Sequence, residues 1–73
     1  MRTLLDLKTG EKAIVKKITG YSLIHRRLLD MGIVSGTCVQ LVKSAPLGDP
    51  LEFKIKGYHL SLRKSEASTV EIM

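Results

Sequence analysis

Apolar residues along this chain follow two rhythms. Tyr21, Ile24, Leu28 and Met31 recur at steps of three and four, which places them on one face of a helix spanning residues 22–31. Ser22 is suited to cap that helix, because a serine hydroxyl can accept a backbone N–H bond from the first turn. Elsewhere the period is two. Leu51, Phe53 and Ile55 alternate with Glu52, Lys54 and Lys56, and Tyr58, Leu60 and Leu62 alternate with His59, Ser61 and Arg63. These two runs, split at Gly57, predict an antiparallel hairpin with one face in the core and one in water. Residues 11–18 form a further strand, rich in β-branched Ile14, Val15 and Ile18. Residues 37–43 form another, with Val39 and Leu41 on one face. Residues 69–73 form the last, with Val70 and Ile72 inward. Residues 1–11 predict an entry segment anchored by Leu4, Leu5 and Leu7, with a turn at Thr9-Gly10, and residues 64–68 a short turn or a single turn of helix.

Glycine and proline punctuate this pattern. Gly32 follows the last periodic apolar residue of the helix, where a left-handed backbone closes a helix at no Cβ cost. Gly36 supplies the turn into the next strand. In Ala45-Pro46-Leu47-Gly48-Asp49-Pro50, Pro46 and Pro50 fix φ at two points while Gly48-Asp49 turns between them. The expectation is a mostly β fold, five short strands curled into a small barrel with one inserted helix, in a single domain over residues 1–73. Curling is the economical way to protect the edges of so small a sheet.

Charge and chemistry narrow the function. Twelve Lys and Arg against seven Asp and Glu leave a net charge of +5. An excess of this sign attracts nucleic acid, anionic membranes or acidic proteins. The basic residues are dispersed, in pairs no longer than Lys16-Lys17, Arg26-Arg27 and Arg63-Lys64, as on an ordinary solvated surface. Only Tyr21, Phe53 and Tyr58 are aromatic, too few for a base-stacking platform, so no nucleic-acid partner is expected. Cys38 is the lone cysteine, which suits a reducing, cytoplasmic setting. It lies in a predicted strand and is expected to be buried and inert. Cys38, His25 and His59 lack the spacing of a metal site, and both histidines are expected to be solvated, so neither metal nor cofactor is expected. No lysine-serine pair follows Gly32 or Gly36 as in a phosphate-binding loop, and no nucleophile sits beside an oriented base. The chain therefore reads as a non-enzyme. Its N-terminus has no unbroken apolar run of the signal-peptide kind, and no run is long enough to cross a membrane. Any membrane role would come through a partner.

Interaction surfaces remain. On the helix, Leu23 points away from the apolar stripe, beside Arg26, Arg27 and Asp30. The loop Leu47, Gly48 and Asp49, stiffened by its prolines, needs little ordering on binding. Lys54, Lys56, His59 and Arg63 on the outer hairpin face read as the polar side of an amphipathic hairpin.

With these features in place, the chain resembles the FeoA family, the small cytosolic component of bacterial ferrous iron transport. The resemblance rests on Arg27-Leu28 with Met31-Gly32, Gly36, the run Ala45 to Pro50, Gly57, and Leu62-Arg63 with Glu66-Ala67. The segment from Leu4 to Gly20 is also similar, so nearly the whole chain is covered. The resemblance implies an SH3-like barrel. It also implies an accessory protein that docks on the cytosolic GTP-binding region of the permease FeoB and modulates transport. The same pattern resembles the C-terminal domain of iron-dependent repressors of the diphtheria-toxin-repressor type, which follows a DNA-binding region not seen here. Other readings left open are a basic barrel that binds nucleic acid, a weak Fe(II) carrier, and a weak homo-oligomer.

Overall fold

The computed structural model describes residues 2–20 and 22–73, and the side chain of Ser22 is outside the description. The expected place of Tyr21 in the helical stripe and the expected cap at Ser22 therefore lie outside the described residues. A 3-10 turn at Leu4–Asp6 precedes β1 (Lys12–Ile18), α1 (Ser22–Asp30), β2 (Cys38–Ser44), β3 (Leu51–Ile55), β4 (Tyr58–Leu62), α2 (Lys64–Ala67) and β5 (Val70–Ile72). The five strands form one antiparallel sheet in the order β4-β3-β2-β1-β5.

Curvature comes from β1, which changes partner along its length. Lys12–Ile14 pair with β2, whereas Val15–Ile18 pair with β5, with an irregularity between Val15 and Lys17. A second irregularity lies between Leu41 and Lys43 in β2. Such bulges bend a strand and increase its twist, which folds the sheet over on itself. The far edge of β5 is covered: Thr3 bridges to Glu71, and Ile72 N–H donates to the Arg2 carbonyl at 2.9 Å.

The alternating runs bury as expected. Val39, Leu41, Leu51, Phe53, Ile55, Leu62, Val70 and Ile72 face one core, with Val15 from β1 and Leu28 from α1. Full burial of side chains such as Phe53 or Leu28 contributes about 1.5–3 kcal/mol each. Helix α1 ends in a Schellman motif around Gly32, at φ +93°. Gly32 N–H donates to the Leu29 carbonyl at 2.9 Å and Ile33 N–H to the Leu28 carbonyl at 3.0 Å, while Ile33 and Leu28 are both fully buried. The backbone shape favours glycine, and a Cβ there would also displace the Tyr58 hydroxyl, 2.5 Å away. Lys56 (φ +40°) and Gly57 (φ +85°) make the tight two-residue turn between β3 and β4.

Three expectations are corrected. Leu5 is not an anchor but 42% exposed. The 3-10 turn has three residues per turn, so Leu4 and Leu7 share the buried side and Leu5 is rotated off it. Tyr58 is not inward but 45% exposed. Its phenol needs an acceptor and finds the Met31 carbonyl, one of the free carbonyls at the end of α1. Cys38 is exposed rather than buried, because it opens β2 on the side opposite Val39 and Leu41.

Candidate functional site

The two surfaces singled out in the sequence are both fastened to α2. From α1, Arg27 reaches Glu66, with Nη1 2.8 Å from Oε2. Glu66 is itself 5% exposed, and its Oε1 accepts the Arg63 backbone N–H at 2.9 Å, capping the start of α2. From the loop, Asp49 Oδ1 accepts the Lys64 N–H at 3.0 Å, on the other side of the same helix start. Arg27 and Asp49, two of the residues expected to meet a partner, are thus engaged within the molecule.

The leucines are free. Leu23, on the solvent side of α1, is 83% exposed, and Leu47 is 94% exposed. The stripe opposite Leu23 is seated by Leu28, with Ile24 and Met31 partly buried against the core. Leu47 sits at the tip of a β-turn closed by the Gly48 N–H to Ala45 carbonyl bond at 2.7 Å. Pro46 holds the preceding φ, and Ala45 N–H donates to the Pro50 carbonyl at 3.0 Å; the Asp49-Pro50 peptide is cis. Arg26 and Asp30 are exposed beside Leu23. The arrangement presents two exposed aliphatic side chains, one on a helix and one on a proline-flanked turn.

The remaining candidates stay apart. Lys54, Lys56, His59 and Arg63 are exposed, while His25 is half-buried on α1. Among the described residues no three of His, Cys, Asp and Glu gather where they could share a metal ion. No described helix is long and apolar enough to cross a membrane.

The sequence reading missed the two buried carboxylates. Glu66 carried no capping signature, because Arg63 precedes it where Ser or Thr would announce a cap. Glu71 lies between inward Val70 and Ile72, and alternation would send it to water, yet it is 7% exposed. Lys16 and Lys17 reach it at 3.4 and 3.9 Å. A cleft lined by those two lysines, Ile18, His25, Leu29 and Val34 also went unseen, because it forms only when α1 lies beside β1.

Comparison with known proteins agrees with this architecture. A fusion of Fe(2+) transport protein A with the Fe(2+) transporter FeoB from Porphyromonas gingivalis is 36% identical over 69 residues, covering 94% of this chain. The chain spans 8% of that fusion's length. The solved FeoA-like protein from Clostridium acetobutylicum is 39% identical, with a TM-score of 0.90 over 97% of this chain and 83% of that one. The FeoA crystal structure from Stenotrophomonas maltophilia, complexed with zinc and described as a procaryotic SH3 domain protein, is 31% identical. Its TM-score is 0.88 over 100% of this chain and 91% of that one. A manganese-dependent transcriptional repressor, 15% identical, shares the fold alone, with a TM-score of 0.89 over 99% of this chain and 40% of that one. The SH3-like barrel expected from the sequence is therefore the observed fold. With the FeoA domain matched over residues 2–73, the chain belongs to the FeoA domain family.

Proposed function

We propose that this protein is a cytoplasmic accessory factor of ferrous iron uptake. It docks on the cytosolic GTP-binding region of FeoB and modulates transport without catalysing a reaction itself. The observation that carries the proposal is the pair of exposed leucines, Leu23 and Leu47, each on a mount that needs little ordering on binding. The natural fusion of the two components in one relative supports FeoB as the partner, since fusion keeps associating domains at high local concentration. Ferrous iron is the cargo of the permease in this reading. Arg27, Asp49 and Gly48 shape the surface, and Leu23, Leu47, Arg26 and Asp30 make the contact.

Binding to the purified cytosolic domain of FeoB from the same organism tests this. Leu23→Glu and Leu47→Glu are each expected to weaken binding about tenfold or more, in line with losing a buried aliphatic contact. Both side chains are solvated in the free protein, so thermal unfolding stays unchanged. Wild-type affinity in both folded variants overturns the docking surface.

A further inference from the structure

We propose that the cleft between α1 and β1 is a second docking site, one that accepts a short acidic segment of a partner protein carrying leucine-like side chains. Its floor is aliphatic. Leu29 and Val34 are 44% and 41% exposed, and Ile18 is half-buried. Lys16, Lys17 and His25 line the same cleft. At about 270 Å³ it is smaller than the usual site of a cofactor or drug-sized ligand and suits individual side chains of a peptide.

The charge at this cleft is biased positive. Lys16 and Lys17 share one internal carboxylate, Glu71, so two ammonium groups answer one negative charge. The Lys17 contact, at 3.9 Å, is too long for a hydrogen bond, and Glu71 Oε2 has no hydrogen-bond partner among the described residues. The Lys17 ammonium is thus held loosely, its side chain 62% exposed, and is free to meet an incoming carboxylate. The aliphatic floor asks for apolar side chains between those carboxylates. Among the described residues no aromatic lines the cleft, so none of them offers the stacking surface a nucleic acid would use. A second copy of this chain is disfavoured by its net charge of +5.

This site is separate from the Leu23 and Leu47 surface. His25 and Leu29 border the cleft, whereas Arg27, two residues from each and so on nearly the opposite flank of the helix, turns to Glu66.

The test uses the whole protein with an acetylated, amidated synthetic peptide, Asp-Glu-Leu-Leu-Glu-Asp, followed by amide chemical-shift perturbation and titration. The expected result is saturable shifts at Ile18, Leu29, Val34 and Ser35, with affinity falling as salt rises. Lys17→Gln, which leaves the Lys16 contact to Glu71 in place, is expected to weaken binding about threefold. Leu29→Gln is expected to weaken it about tenfold, and Leu23→Glu to leave it unchanged. Equal binding of Lys-Lys-Leu-Leu-Lys-Lys overturns the proposal, as do shifts that map elsewhere or an affinity that neither cleft variant changes. Binding to phosphatidylglycerol vesicles with no peptide binding also overturns it, in favour of a lipid surface. Loss of FeoB binding by Leu23→Glu with peptide binding intact keeps the two surfaces distinct.

Discussion

Glu66 and Glu71 are both buried carboxylates at the end of the chain, and the molecule treats them differently. Glu66 has a charged partner and a backbone donor, with Oε2 on Arg27 and Oε1 on the Arg63 N–H, at 2.8 and 2.9 Å. Glu71 meets two lysines at longer range, and one of its oxygens accepts no hydrogen bond among the described residues. A buried charge is stabilising only where short hydrogen bonds replace the water it lost. Glu66 therefore works as a rivet, joining α1, which carries Leu23, to α2. Glu71 is expected to contribute less to stability, and the more distant of its lysines, Lys17, remains available to a ligand.

Replacing each carboxylate by an apolar residue of similar size is the sharpest way to break this comparison. Glu66→Leu frees the Arg63 N–H and unseats Arg27, and is expected to cost about 2 kcal/mol in urea unfolding. Arg27 is more than half exposed, which keeps this below the cost of splitting a fully buried pair. Glu71→Leu removes an imperfectly paired charge and is expected to stay within about 1 kcal/mol of the wild type. Equal losses in the two variants would end the distinction.

Smaller effects sharpen it. Asp49→Ala removes the loop's bond to the Lys64 N–H and is expected to cost about 1 kcal/mol. Amide exchange should then quicken around Gly48 while the β3–β4 hairpin keeps its protection; unchanged exchange at Gly48 would show that the turn is held by its backbone alone. Lys16→Ala and Lys17→Ala are each expected to cost under about 0.5 kcal/mol, with the difference from wild type shrinking in high salt. A larger loss from either would make Glu71 a rivet like Glu66.

Glu11 is the exposed counterpart and gives the smallest effect. The Lys8 N–H, at 3.0 Å, and then the Arg2 guanidinium, at 3.3 Å, hold its carboxyl below the ordinary range. A folded value below the unfolded one means the charged form is favoured by folding. Its contribution is therefore complete above the unfolded value and disappears as pH falls through the folded one. Glu11→Gln is expected to lower stability slightly at neutral pH and to leave it unchanged below the folded value, which flattens the acid limb, as measured by thermal unfolding from neutral to acid pH.

The strands, the helix and its glycine stop were legible because each depends on local rules. Phe53 and Ile55 alternate with lysines, Leu28 recurs at helical spacing, and Gly32 adopts a backbone that a side chain would strain. Leu23 was legible for the same reason, since the helical period alone sends it to water. Other features were settled by residues far apart in the chain. Tyr58 turns from the core to the Met31 carbonyl, Arg27 and Asp49 reach α2, and Glu71 lies under two lysines of β1. Periodicity decides which side of its own element a residue occupies. Which acceptor a phenol finds, or which cation a carboxylate meets, depends on how the barrel brings separate elements together, and only the tertiary structure decides that.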